Sequence, residues 1–164
     1  MGTSPTDNLE KVRRFYELLK ANDFAGAFGL VSPEAVIREP ADLPFGGEYQ
    51  GQARIGELLQ RMGKVVDLGI ADSTIMDGAE SFAVKVLSRM TPRDGGEPVE
   101  VEILELITVR DGKIVEIDVY HKTPSIVAGL WAWQAERRPW QVSSLRLIRR
   151  TSDACLAAMP RAFR

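Results

Sequence analysis

The chain has 164 residues, is 45% hydrophobic and 27% charged, and carries a formal net charge of −2, the profile of one soluble domain with one core and room for an appendage. That balance argues against a general polyanion binder. With one cysteine, Cys155, and one histidine, His121, no intrachain disulfide can form, zinc sites built on those two residue types are excluded, and so is any Ser-His-Asp triad without His121.

In chain order, Thr6-Asp7-Asn8 reads as a cap for a helix whose apolar positions Leu9, Val12, Phe15, Tyr16 and Leu19 follow helical spacing. A second, short helix carries Phe24, Ala27, Phe28 and Val31 and ends near Ser32-Pro33. Residues 35–39 read as a short strand stopped by Pro40, and residues 40–51 as a loop rich in Pro and Gly. Gly46-Gly47 lacks the preceding strand, the lysine and the helix start of a phosphate loop. Gln52 to Met62 is a third helix, with Ile55, Leu58, Leu59 and Met62 on one side. Ile70–Met76 and Ser81–Met90 are strands joined at Asp77-Gly78. The order predicts an α+β fold, with helices packed on one face of a curved sheet that ends in four consecutive antiparallel strands.

Residues 99–121 form the last of these hairpins, two alternating runs around Arg110-Asp111-Gly112-Lys113. In the first run Val101, Ile103, Ile107 and Val109 share a face with Glu105; in the second, Ile117 and Val119 share a face with His121. Glu39 likewise shares a face with Ala35 and Ile37, because strand residues two apart point the same way. Three ionisable groups on apolar faces suggest one low-dielectric concavity. There, desolvation raises carboxylate pKa values and a neighbouring carboxylate raises that of histidine, as general acid–base chemistry needs. Each also has an ordinary reading: His121 as a half-buried strand end, Glu39 as an exposed strand terminus, Glu105 on a partly wet edge strand.

Residues 130–164 differ in composition. Residues 131–164 hold all three tryptophans and 7 arginines against Glu136 and Asp153, whereas residues 1–130 hold 14 Lys+Arg against 21 Asp+Glu. The tail reads as an amphipathic helix on its own domain or a dimer mate; an anionic membrane surface or nucleic acid are alternatives without a supporting motif. The N-terminus lacks the apolar core of a signal peptide and no run is long enough to span a membrane, so a cytoplasmic location is expected.

The stretches from Phe15 to Pro40, Gly47 to Met62 and Leu104 to Pro124 together resemble the nuclear transport factor 2-like (NTF2-like) superfamily, within it the SnoaL-like polyketide cyclase and ketosteroid isomerase group. The resemblance implies a cone-shaped α+β fold over residues 1–129 with a deep hydrophobic pocket, the tail being extra, and commonly a homodimer through the outer sheet surface. It implies no metal and no cofactor. Glu39, before Pro40, falls at the general-base position, Glu105 at the protonated acid of the oxyanion hole, and His121 at a pocket-lining position where cyclases also place an acid or base. Tyr49 resembles an aromatic at the pocket mouth. The isomerase tyrosine position falls on Phe15, with Tyr16 rotated by about 100° along the helix. Phe15, Tyr49, Ile107 and Val119 are thus expected to contact substrate.

The expected function is acid–base isomerisation or cyclisation of a hydrophobic, oxygenated small molecule, such as a polyketide-like or terpenoid intermediate, with epoxide opening as a variant. A non-catalytic binding or dimerisation module is the alternative.

Overall fold

A computed structural model describes residues 5–78 and 81–133. Helix α1 (Pro5–Lys20) buries Val12, Phe15, Tyr16 and Leu18 along one stripe. The helix already runs at Pro5, so Thr6-Asp7-Asn8 lie within its first turns rather than before it. It stops at Asn22, whose φ of 58° is left-handed, a conformation asparagine tolerates better than most residues. Asp23 then caps α2 (Phe24–Leu30), its carboxylate accepting the Gly26 N–H at 2.9 Å.

Strand β1 (Val31–Glu39) begins four residues earlier than expected, so Ser32-Pro33 lie in a strand and do not end a helix. Proline is accommodated there because the pairing register with the neighbouring strand slips between Val31 and Val36. The expected loop after Pro40 contains a further strand, β2 (Gly47–Gln50), antiparallel to β1. Gly46 precedes it in close approach to the Pro40 carbonyl, where a Cβ would collide. Helix α3 (Gly51–Gly63) follows and buries Ile55, Leu58 and Met62.

The remaining strands are β3 (Val66–Met76), β4 (Ser81–Pro92), β5 (Val99–Arg110) and β6 (Lys113–His121). β3 starts four residues before the predicted point because Gly69 interrupts the alternation that marks a strand. The β5–β6 turn holds Asp111 at φ 50° and Gly112 at φ 72°; two consecutive left-handed residues match the twist of flanking strands. Residues 124–133 are helical.

The six strands form one curled, unclosed sheet in the order β2-β1-β6-β5-β4-β3. All neighbours are antiparallel except β1 and β6, which run parallel. Helices α1 and α3 pack against the sheet, α1 on β3 and α3 on β1, β2 and β3. Phe82, Val84, Val86, Val101, Ile107 and Val109 of the inner face are buried at 2% exposure or less, as their alternation predicts. Met1–Leu130 form one compact unit and Trp131–Arg164 a second; the predicted helix of the tail lies, from residue 134 on, outside the described residues. Among the described residues no helix is long and apolar enough to cross a membrane.

Candidate active site

Between the helices and the inner sheet face lies a cavity that leaves about 170 Å³ to the centres of water-sized spheres, many times the roughly 10–15 Å³ that admits one water. Its wall is aliphatic and aromatic, contributed by α1, α2, α3 and five strands, with Phe15, Leu58, Met62 and Val86 among the lining side chains. Among the described residues, polar side chains enter at four positions: Glu39, Ser88, Glu105 and His121.

Sheet register brings three of these together. Glu105 on β5 pairs with Val119 on β6, and His121, two residues further on, pairs with Ile103. The parallel pairing of Ile37 with Ile117 carries Glu39, at the end of β1, to the same edge of the cavity. There the His121 Nε2 stands 3.2 Å from Glu39 Oε2, and both side chains are sealed from bulk water, at 1% and 8% exposure. The other ring nitrogen, Nδ1, is buried with no partner among the described residues. An unmet acceptor costs less there than an unmet N–H beside an available carboxylate, so the hydrogen-bond network assigns the proton to Nε2, donating to Glu39. The Phe45 ring backs the imidazole edge-on at 6.2 Å between centroids.

Glu105 is half-buried as a residue because part of it faces the cavity, while its carboxyl is enclosed by protein. Desolvation pushes its pKa up to about 7, and the Glu39 carboxylate adds to the rise; the Tyr16 hydrogen bond and His121 oppose it. The Tyr16 hydroxyl donates to Glu105 Oε2. Burial, reinforced by the adjoining Glu105, holds the Tyr16 phenol well above its ordinary range, so it stays protonated. A neutral Glu105 accepting from Tyr16 on one oxygen can donate from the other into the cavity.

The structure therefore brings Glu39, Glu105 and His121 into one cavity, with Phe15 and Val119 on its wall. It does not bring Tyr49 or Ile107 there. The Tyr49 hydroxyl donates to the Phe45 carbonyl at 2.6 Å, anchoring the loop that backs His121 rather than lining the mouth. Ile107 is fully buried and lies off the cavity wall, since sharing the face of Glu105 does not mean sharing the open part of that face. Tyr16 is the reverse case. The helical rotation that seemed to turn it away instead seats its hydroxyl on Glu105, with its ring edge-on to Phe15 at 5.4 Å. Ser88 was missed although it continues the buried alternation of Phe82, Val84 and Val86, which is the signal that finds it. Among the described residues no group of three or more His, Cys, Asp or Glu side chains is arranged to hold a metal ion.

Comparison with known proteins matches the SnoaL-like domain model to residues 12–117. An NTF2-like protein from Burkholderia xenovorans LB400 superposes with a TM-score of 0.62 at 20% identity, covering 77% of this chain and 95% of that one. A candidate polyketide cyclase from Xanthomonas campestris pv. campestris gives 0.66 at 15% identity, over 78% and 99% of the two chains. TerC, crystallised with polyporic acid, gives 0.65 at 20% identity, over 73% and 95%. No curated protein matches. At such identities the solved structures speak for the fold and not for the chemistry. The family model spans well over half of the sequence, and with it the chain belongs to the SnoaL-like domain family, built on an NTF2-like fold.

Proposed function

We propose that the chain is a cofactor-independent acid–base enzyme of the isomerase or cyclase type, acting in the cytoplasm on a hydrophobic, oxygenated small molecule of polyketide-like or terpenoid character. The observation that carries this reading is the pairing, within one apolar cavity, of a carboxyl whose pKa lies near 7 with a second carboxylate held by histidine. A carboxyl kept protonated by burial, facing a second carboxyl group across one apolar cavity, is the arrangement acid–base chemistry uses.

In this reading Glu39 takes the proton from the carbon next to a substrate carbonyl. The electron pair of that C–H bond moves to the carbonyl oxygen as an enolate, and the Glu105 O–H hydrogen-bonds the developing charge. Such a donor contributes about 3–4 kcal/mol in well-studied oxyanion holes. His121 steadies the Glu39 carboxylate and its proton. Return of the proton at another carbon isomerises the substrate; attack of the enolate carbon on a second carbonyl closes a ring, the alkoxide then taking the proton. The same acid and base would serve for epoxide opening. The Xanthomonas candidate polyketide cyclase shares the fold on which this reading is built, and TerC was crystallised with a small organic molecule, polyporic acid, in a fold of this kind.

The test follows hydrogen–deuterium exchange of a panel of cyclic enones by NMR in heavy water. Wild-type protein is expected to speed exchange next to the carbonyl, and Glu39→Gln to lose roughly 10²–10⁴ of that rate with its fold intact. If no enone exchanges faster with wild type than with the variant, proton abstraction is ruled out. A second reading then leads, a non-catalytic binding or dimerisation module. It is favoured by Leu104, Leu106 and Tyr120, which lie exposed side by side on the outer face of β5 and β6. A homodimer through that face accompanies either reading, and light scattering on Leu104→Lys against wild type reports it.

A further inference from the structure

The far end of the cavity carries a polar group that the acid–base chemistry does not use. Ser88 on β4 is 5% exposed, lies on the cavity wall between Val86 and Met90, and donates its hydroxyl to the Gly69 carbonyl at 3.3 Å. That long bond occupies the donor and leaves the oxygen lone pairs free to accept. Glu105 pairs across the sheet with Val84, four residues before Ser88. At the usual strand rise and spacing the two positions are about 14 Å apart, and the wall between them is apolar. Glu39 stands near the level of Glu105, and His121 stands level with Ile103 and Val86, two strands across from β4. No lysine or arginine is among the described lining residues, so among them a carboxylate or phosphate would meet only carboxyl groups, a hydroxyl and an imidazole.

Resting on the acid–base reading above, we infer that Ser88 is the distal anchor of the substrate site. The ligand class that fits is uncharged and elongated, with a carbonyl or enol oxygen at the Glu105 end and a hydroxyl at the other that donates to Ser88 Oγ. A buried serine at this point of an otherwise apolar strand face discriminates by hydrogen bonding, because a ligand without the hydroxyl leaves the acceptor dry and unmet. Ser88 thereby fixes which end of a two-ended molecule enters first, and so which carbon lies near Glu39.

Phenols test this, since a phenol oxygen stands in for an enolate oxygen at Glu105. Three rigid probes suffice: para-phenylphenol, the para,para′-dihydroxybiphenyl, and the latter with one hydroxyl capped as a methyl ether. The dihydroxy probe is expected to bind wild type about 5- to 20-fold more tightly than para-phenylphenol, of which twofold is its symmetry. Capping removes the gain. In Ser88→Ala, checked for unchanged thermal unfolding, the gain falls to the twofold of symmetry. If wild type shows no gain beyond twofold, or Ser88→Ala retains it, the inference is overturned, while phenol binding that weakens in Glu105→Ala leaves the acid–base reading standing. If wild type takes up none of the three probes, both fall together. The comparison among probes needs only wild-type protein, so a poorly folded variant does not blunt it.

Discussion

Strands β5 and β6 carry carboxylates on both faces, and the two faces treat them in opposite ways. On the outer face three acidic groups have cationic neighbours: Glu100 meets Arg89 at 2.7 Å, Glu102 lies between Lys85 and Lys122, and Glu116 is paired with Arg38, while Asp118 accepts from the Tyr120 hydroxyl. Hydrogen bonds from Lys122 and Lys85 hold the Glu102 carboxyl below the ordinary range. On the inner face no lysine or arginine among the described residues pairs with Glu105, and the hydrogen bond it accepts there comes from a phenol. The same side chain, one residue's parity away, is thus a solvated anion on one side of the sheet and a proton donor near neutrality on the other. Hydration and counter-charge, rather than residue type, decide which strand carboxylates can do chemistry.

The largest expected effect separates the faces by pH. Glu105 has a folded pKa of about 7 against about 4.3 in an unfolded chain, so the folded state keeps a proton that the unfolded state has lost. Its contribution to stability is unimpaired below pH ~4 and declines as pH rises through about 7, by roughly 3 kcal/mol between pH 4.5 and 8. Urea unfolding from pH 4.5 to 8 should show wild type losing that amount relative to Glu105→Gln, which lacks the titration. An identical pH slope for both proteins would mean that the inner carboxyl is solvated after all.

Tyr16→Phe sharpens the same contrast from the other side. Its hydroxyl lowers the Glu105 pKa, so removing it should move the transition to higher pH, read from the carboxyl stretch of Glu105 by difference infrared spectroscopy against Glu105→Gln. A transition that stays put would reduce Tyr16 to a packing residue. The smallest effect belongs outside. Glu102→Gln should leave the thermal midpoint unchanged within error in moderate salt, since exposed pairs are screened and weak. A clear drop would show the outer network holding the sheet together.

Much of the site was legible because strands have a period of two. Parity alone put Glu39, Glu105 and His121 on inner faces, and the register of β1, β5 and β6 brought those faces to one place. Parity could also have found Ser88 had the alternation of β4 been followed past Val86. It could not separate Ile107 from the cavity wall, which depends on how far the helices close over the sheet. Tyr16 was hidden for a different reason. A one-residue step on a helix turns a side chain by about 100°, yet a long aromatic on a helix crossing the sheet can still reach the same carboxyl from its new direction. β2 escaped, and Tyr49 was placed at the pocket mouth, because Pro and Gly mark a loop without revealing that a short edge strand can follow one. The fold class and the number of inner-face acids followed from local pattern, whereas the loop anchors followed from tertiary packing.

The parallel pairing of β1 with β6 has a kinetic side. Glu39 and His121 are 82 residues apart in sequence, and Tyr16 and Glu105 are 89 apart. The Glu39–His121 contact cannot form until β6 has docked beside β1, and the Tyr16–Glu105 contact cannot form until β5 has met α1. Contacts of such separation pay their loop-closure entropy late and slow the search. A chain leaving the ribosome therefore carries a helical layer and an incomplete sheet, and His121 meets Glu39 only when β6 arrives. The contact between the first strand and the last is the final one this sequence completes as it folds.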